Sequence, residues 1–233
     1  MKVAIMQPTF LPWLGYFHLA SKVEKFVFLD SVQFDTRSWQ QRNKILLNGK
    51  PFWVTIPTIL TSGRSTKINE VLINKEHYSS DKIIKTIRQA YGKLPGNSFN
   101  EEVLFPHLAA SHLLLSDMTI AIIKSIFEVL EIKATILKSS ELTVSGTKAE
   151  LLLSICSELG ATSYFSPEGS RGYLAEFDGF DLKDISVEYQ EFEHPTYKQS
   201  GVEFVPYLSV IDSISNLGIQ GVKELIKFDI ETR

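Results

Sequence analysis

The first thirty residues contain two short apolar runs with a helix-compatible segment between them. The runs are KVAIMQ from Lys2 and KFVFLD from Lys25, and the segment between them is LGYFHLASKVE. Their β-branched residues favour strands, and strands joined through a helix normally pair in parallel through a right-handed crossover. This order predicts an α/β fold whose ligands bind at the carboxyl ends of the strands, where Gln7 and Asp30 lie.

The next part of the chain predicts a ribbon and then helices. Asn48-Gly49 separates two apolar runs and supplies the positive φ angles of a type I′ hairpin turn. The strand-like segment STKINEVLIN should extend this antiparallel ribbon. Apolar residues then recur at helical spacing from Ser79 to Tyr91 and again from about Leu113.

The C-terminal half predicts a second strand, helix, strand unit. KATILKSS and TSYFS are its strands, and between them Thr147 is the predicted N-cap, Glu150 completes a capping box and Gly160 ends the helix. A strand DISVEYQEF and a helix from about Leu208 follow. We therefore expect one α/β domain over residues 1–233, with a mainly parallel central sheet flanked by helices and a small antiparallel ribbon. A nucleotidylyltransferase-like or Rossmann-like scaffold is one form of this fold.

Composition narrows the functional classes. The net charge of -3 gives no general attraction to nucleic acid, and a single Cys excludes an internal disulfide framework. The longest apolar stretch, HLLLSDMTIAIIKSIFEVLEI, is interrupted by charged residues, which favours a buried helix over a membrane span. His and Cys lack metal-ligand spacing. We expect a cytoplasmic protein with no metal, no cofactor, no nucleic-acid partner and no membrane partner.

The run QFDTRSWQQRNKI, residues 33–45, is the densest group of planar hydrogen-bonding side chains. Its candidates for ligand contact are Gln33, Arg37, Trp39, Gln40, Arg42 and Asn43. Guanidinium groups match phosphate or carboxylate oxygens, amides recognise polar edges, and an indole stacks on rings. The alternative is a solvated strand and turn whose arginines pair with Asp30 and Asp35.

A glycine near the start of the first predicted helix invites comparison with nucleotide-binding proteins, which expose backbone N–H groups to phosphate there. Nucleotidylyltransferases of the His-x-Gly-His type carry two histidines around it. The corresponding residues here are Trp13-Leu14-Gly15-Tyr16, so both histidines are missing. This argues against their adenylyl transfer and leaves the scaffold open.

A second polar cluster lies near the C-terminus. The segment HPTYKQ contains His194, Tyr197 and Gln199, and Asp212 and Asn216 follow on a predicted helix, where their spacing of four places them on one face. His194 is suited to be a general base, or it is a turn residue whose ring bonds a carbonyl group. Asp212 and Asn216 either bind a ligand or cap the neighbouring loop.

Several segments together resemble the WbqC-like protein family. They are VAIMQPTFLPWLGYFHL, FVFLDSVQFDTRSWQQRNKI, FWVTIP, GYL and HPTYKQ with FVPYLSVIDSISNLG, in this order along most of the chain. The resemblance implies a bacterial cytoplasmic protein associated with O-antigen or other surface polysaccharides. It implies a transferase that modifies a sugar nucleotide or related phosphorylated sugar, with aminoacyl or glycyl transfer to an amino sugar as one activity.

The resemblance also implies a set of site residues. The expected substrate-binding residues are Gln7, Trp13, Tyr16, Asp30, Gln33, Arg37, Trp39, Gln40, Arg42, Asn43, Tyr197, Gln199 and Asn216. His194 would be the general base, assisted by Asp212, and a carrier protein or pathway enzyme would be a partner. The alternative function is a non-catalytic module that binds a nucleotide or carbohydrate precursor and passes it to an enzyme.

Overall fold

The computed structural model describes residues 1–201 and 203–227. Its strands are β1 (Lys2–Met6), β2 (Lys25–Phe28), β3 (Arg42–Leu47), β4 (Lys50–Thr55), β5 (Thr58–Ile59), β6 (Leu72–Ile73), β7 (Thr135–Lys138), β8 (Ser163–Pro167) and β9 (Ser186–Gln190). Its α-helices are α1 (Leu14–Ser21), α2 (Ser80–Tyr91), α3 (Asn97–Phe99), α4 (Phe105–Ala109), α5 (Leu115–Val129), α6 (Lys148–Glu158), α7 (Arg171–Leu174) and α8 (Val210–Lys227).

The central sheet has five strands in the order β7-β2-β1-β8-β9, and every neighbouring pair is parallel. From β1 the chain passes through β2 to the β7 edge, and then returns to place β8 on the other side of β1. The predicted α/β class and parallel sheet are confirmed. The return of the chain beside β1 makes the carboxyl end of this strand a topological switch point.

Helices cover both faces of the sheet. Helices α1, α5 and α8 pack in a core with Ala4, Phe26 and Phe28, whereas α6 and α7 pack in a second core with Val3 and Val27. Crossovers in one direction along the sheet therefore place their helices on one face, and crossovers in the other direction use the opposite face. A common crossover hand requires this arrangement.

The predicted hairpin forms, and its extension differs from the prediction. Asn48 and Gly49 have φ angles of 52° and 73°, and β3 pairs with β4 around them. The segment STKINEVLIN is not a strand throughout. Ile68–Glu70 forms a 3-10 turn, because the Ile68 and Asn69 N–H groups donate to carbonyl groups of the loop after β2, and only Leu72–Ile73 pairs with β5.

Two details at helix ends also correct the sequence predictions. Thr147 occupies the N-cap position of α6, but its side chain makes no capping bond, so the predicted capping box is wrong. Lys148, the first residue of the helix, has a φ of 50°, so the backbone does not enter the helix along the usual path.

Helix α8 is interrupted at Gly218, which has a φ of 72°. None of the helices in the described ranges is long and apolar enough to cross a bilayer.

Candidate functional site

Asp30 lies directly beyond β2, at the carboxyl edge of the sheet, and is almost fully buried. Its Oδ1 accepts from the hydroxyl of Ser139 at 3.0 Å and from the backbone N–H of Ser140 at 2.9 Å, and its Oδ2 accepts from the hydroxyl of Ser140 at 2.7 Å. Asp30 therefore joins the end of β2 to the turn after β7, and its acceptors are occupied by the chain itself.

Gln7, at the end of β1, connects three parts of the site. Its Oε1 accepts from Nε2 of Gln40 at 2.8 Å, and Oε1 of Gln40 accepts from the backbone N–H of Asp35 at 2.9 Å. The hydroxyl of Tyr16 donates to the Gln7 carbonyl at 3.2 Å. These bonds fix the orientation of the Gln7 amide and leave its Nε2 as a donor.

The outer part of the polar run is exposed. Gln33 forms an isolated bridge with Lys67, and Arg37 lies in a turn with a φ of 60°, its N–H donating to Oε1 of Gln41 at 3.1 Å. Within the described residues, neither arginine of the run forms an ion pair with Asp30 or Asp35. The salt-bridged surface that was the alternative interpretation does not form there.

The inner part of the run forms a surface that we call the tryptophan platform, consisting of Trp39, Trp53, Arg42 and Lys44. The centroids of the Trp39 and Trp53 rings lie 5.2 Å apart, and both side chains remain partly exposed. The Arg42 guanidinium lies 4.3 Å from the Trp53 ring, and Nζ of Lys44 lies 5.0 Å from the same ring. The platform thus combines aromatic faces with two positive charges.

Beside the platform is a cavity of about 300 Å³, which we call the aromatic pocket. It is lined by Met6, Thr9, Pro12, Trp13, Tyr16, Trp39, Asn43 and Tyr207. Asn43 is buried, donates to the Leu11 carbonyl at 2.6 Å and accepts from the Lys44 N–H at 2.7 Å. Burial raises the pKa of Tyr16 well above its usual value, so this phenol stays protonated.

His194 is partly buried and contacts two of the rings that line this pocket. The imidazole stacks on Trp13 at 6.2 Å and meets Tyr207 edge to face at 5.1 Å. Its Nδ1 lies 3.0 Å from the Pro195 carbonyl, as the turn interpretation expected, which fixes the proton on Nδ1 and leaves Nε2 as an acceptor. Desolvation by burial lowers the pKa of His194, so the neutral imidazole dominates at pH 7.

Asp212 is fully buried at the start of α8. Its Oδ2 accepts from the Tyr197 hydroxyl at 2.8 Å and from Nε2 of Gln199 at 2.9 Å. Burial raises the pKa of Asp212, and hydrogen bonds from Tyr197, Tyr91 and Gln199 lower it in part. Asp212 thus contacts the tyrosine that stacks on His194 at 6.2 Å.

Asn216 and Gln199 also fasten the C-terminal segment. Nδ2 of Asn216 donates to the Asp212 carbonyl at 2.8 Å, one turn earlier in α8. Oε1 of Gln199 accepts from the Val205 N–H at 2.8 Å, and its Nε2 donates to the Val205 carbonyl at 2.9 Å. The Asn216 bond lies within α8, whereas Gln199 fixes the loop and, through its bond to Asp212, holds it against α8.

The polar run and the C-terminal segment are joined through backbone bonds and through Trp13. The Ser209 N–H donates to the Lys44 carbonyl at 2.9 Å, and the Val210 N–H donates to the Pro12 carbonyl at 2.8 Å. Trp13 forms a backbone bridge with Ser209 and contacts His194 through its ring. These backbone bonds join residues far apart in the sequence.

Gly15 has a packing role against Trp13. A Cβ atom on Gly15 would lie 2.1 Å from Cη2 of the Trp13 indole, far inside van der Waals contact. The glycine therefore allows the indole to fold back over α1 and form the pocket wall. The sequence comparison with phosphate-binding glycines did not anticipate this role.

A second, larger cavity is lined by Gln7. We call this cavity, of about 750 Å³, the sheet-edge chamber. Its lining includes Gln7, Ser31, Gln33, Lys148, Leu151 and Tyr173. Sequence reasoning missed Lys148, Tyr173, Tyr207 and Trp53. All but Lys148 carried a signal, since they lie in the segments GYL, FVPYL and FWVTIP of the family resemblance.

The fold and these cavities define a doubly wound α/β protein with a polar and aromatic pocket near the carboxyl edge of its sheet. The chain belongs to the WbqC-like protein family, whose model matches residues 7–224. An uncharacterized protein of Mycobacterium tuberculosis, Rv1507c, is 28% identical over 227 residues, which cover 94% of this chain and 95% of that protein. No solved structure gave a significant match.

Proposed function

We propose that this protein is a cytoplasmic transferase that modifies the sugar of a sugar nucleotide, or of a related precursor, during synthesis of a bacterial surface polysaccharide such as O-antigen. The group transferred is an acyl or aminoacyl group, glycyl among them, and the acceptor is an amino sugar. The aromatic pocket is the observation that carries this proposal. Membership of the WbqC-like family supports the polysaccharide setting.

The shape and chemistry of the aromatic pocket suit one sugar unit. Its volume of about 300 Å³ is small, and the rings of Trp13, Trp39 and Tyr207 present apolar faces that pack on the C–H face of a sugar. Arg42 and Lys44 of the neighbouring platform add positive charge for an anionic group. Trp39 is 47% exposed, so a ligand can reach its ring from solvent.

His194 supplies the general base in this proposal. As the amine nitrogen of the sugar bonds to the acyl carbon, its proton passes to Nε2 of His194. The bond from that carbon to the leaving group of the activated donor breaks, the electron pair goes to the leaving group, and His194 returns the proton to it. The lowered pKa keeps the imidazole neutral and ready to accept a proton at pH 7.

Asp212 acts as a positioning residue. Its Oδ2 holds the hydroxyl of Tyr197 and the amide of Gln199, and Tyr197 in turn packs on the imidazole. The carboxylate therefore acts on His194 through the loop that it fastens.

Binding is tested by thermal unfolding of the protein with nucleotide sugars that do or do not carry an amino group, acyl-CoA and free amino acids. A ligand at a hundredfold excess over its Kd should stabilise the native state by about 2.7 kcal/mol. We expect stabilisation by an amino-sugar nucleotide, and Trp39→Ala and Arg42→Ala should each reduce it. Arg64→Ala, a change of an exposed arginine in the turn Gly63–Ser65, is the matched control.

Turnover separates the transferase from the alternative. Arg42→Ala should mainly raise KM, whereas His194→Ala should mainly lower kcat. Saturable binding of an amino-sugar nucleotide without turnover in the presence of activated donors would contradict the transferase and favour a module that passes its ligand to a partner enzyme or carrier.

A further inference from the structure

The sheet-edge chamber has the position and the chemistry of a second binding subsite. It lies at the carboxyl ends of β1 and β2, beside the strand at which the chain reverses its course through the sheet. Open parallel sheets bind ligands at this edge. A volume of about 750 Å³ is in the range of pockets that hold a nucleotide-sized molecule.

The charge of the lining favours an anion. Lys148 lines the chamber, and among the described residues no carboxylate does so. Within the same part of the chain, the Lys148 ammonium forms no ion pair. An unpaired ammonium beside a cavity attracts a negatively charged ligand group.

Gln7 adds a donor of fixed direction. The Asp35 N–H donates to Oε1 of Gln40, and Nε2 of Gln40 donates to Oε1 of Gln7. These bonds orient the Gln7 amide, and its Nε2 remains as a donor for a ligand. Gln7 lines the chamber, and the preceding residue, Met6, lines the aromatic pocket. Consecutive residues at the end of β1 therefore line the two cavities.

The rest of the lining suits a flat, partly apolar group. Leu29, Val32, Leu151 and Leu152 form apolar walls, and Tyr173 is an exposed ring that lines the same space. A nucleobase can stack on such a ring because every base has an aromatic face.

We propose that the chamber binds the nucleoside-diphosphate part of the sugar nucleotide, with diphosphate oxygens at Lys148 and Gln7 and the sugar extending past Gln7 into the aromatic pocket. This inference rests on the function proposed above, and it assigns each part of the substrate to a cavity.

The test measures binding of UDP, ADP and GDP, and of their nucleosides, by isothermal titration calorimetry. At least one diphosphate should bind, and Lys148→Gln should weaken it by about tenfold or more, since charged hydrogen bonds contribute about 1.5–3 kcal/mol. Lys148→Arg should recover most of the affinity. Lys85→Gln, a change of an exposed lysine on α2, is the matched control and should have no effect.

Gln7→Glu is a second variant that conserves shape. It retains an acceptor for Gln40 and replaces the Nε2 donor with a negatively charged oxygen, so diphosphate binding should fall by about a hundredfold or more. Binding of none of the three diphosphates, or equal affinity in the wild type, Lys148→Gln and Gln7→Glu, would overturn the inference.

Trp39→Ala distinguishes this inference from the proposed function. Because Trp39 lines the aromatic pocket and not the chamber, its loss should weaken a sugar nucleotide and leave the affinity for the diphosphate unchanged. If Trp39→Ala weakens the sugar nucleotide while Lys148→Gln changes nothing, the chamber assignment fails and the proposed function stands.

Discussion

The aromatic pocket and the sheet-edge chamber are lined by the consecutive residues Met6 and Gln7, and their polar groups differ in how far the fold satisfies them. Beside the aromatic pocket, the Asn43 amide is hydrogen-bonded to the backbone. Oδ2 of the buried Asp212 accepts hydrogen bonds from Tyr197 and Gln199. In the chamber, the Lys148 ammonium has no ion-pair partner in the described part of the chain.

This difference separates groups that shape a site from groups that can bind a ligand. The buried Asn43 amide is satisfied by the backbone, so it gives the aromatic pocket a fixed form. An exposed ammonium stays hydrated until an anion replaces the water. Changes near the aromatic pocket should therefore alter stability, and changes of chamber donors should alter ligand affinity.

The largest expected effect is on turnover. His194→Ala should lower kcat by about 10²- to 10⁴-fold, the usual contribution of a general base, with little change in KM. His77→Ala, a change of an exposed histidine before α2, is the control and should leave kcat unchanged. An equal loss in both variants would contradict a catalytic role for His194.

The pH dependence of kcat/KM should carry the signature of His194. Burial lowers the pKa of this imidazole, and the neutral form is the active one. Activity should therefore persist as the pH falls through about 6.5, the ordinary histidine value, and be lost at a lower pH. A pH-rate profile with its acidic limb centred above that value would contradict the assignment.

Gly15→Ala should disturb the pocket wall itself. The new Cβ would lie 2.1 Å from the Trp13 ring, so the indole must move, and we expect a loss of about 1–3 kcal/mol in the free energy of unfolding, as in overpacked cores. Gly172→Ala in α7 meets no atom within 4 Å and should be neutral in the same denaturant titration. Equal stability of the two variants would show that Gly15 has no packing role.

Tyr197→Phe should lower the free energy of unfolding by a similar amount. It removes a hydrogen bond to the buried Asp212 carboxylate, and bonds to charged groups contribute about 1.5–3 kcal/mol. Because this bond lowers the pKa of Asp212, its loss should raise that pKa further.

The raised pKa of Asp212 makes the stability of the protein depend on pH. A raised pKa means that native Asp212 keeps its proton at a pH where the unfolded chain has lost it, so stability falls as the pH rises from about 4 through the native pKa. Denaturant titrations at several pH values should show a steeper fall in Tyr197→Phe than in the wild type. A parallel pair of curves would contradict this coupling.

The smallest expected effect is that of a change in the chamber, Lys148→Gln, on the stability of the protein. Lys148→Gln should change the free energy of unfolding by no more than about 0.5 kcal/mol, because the residue is exposed and unpaired in the described structure. A loss of more than about 1 kcal/mol in a urea titration would contradict the contrast between the two cavities.

Much of the fold was visible in local sequence patterns. The β1-α1-β2 unit and the Asn48-Gly49 turn were predicted because periodicity and turn chemistry are local properties. The segment around Ile68 was predicted wrongly, because its backbone bonds to a distant loop replace the strand pairing that its composition favours. Tertiary contacts override strand propensity in such segments.

The candidate site was visible only as two separate clusters. Periodicity does not specify that β8 lies beside β1, so neither the meeting of Trp13 with His194 nor the chamber around Lys148 could be predicted. Residue chemistry also did not distinguish Asn43, which the fold satisfies, from Gln7, whose Nε2 is left as a donor. That distinction depends on distances.

A crystal structure of the protein with an amino-sugar nucleotide tests the central claim most directly. We expect the sugar to lie in the aromatic pocket, packed on Trp13 or Trp39 and facing His194. We expect the diphosphate to lie beside Gln7 and Lys148. A ligand bound outside both cavities, or a sugar placed away from the rings of the aromatic pocket, would contradict it.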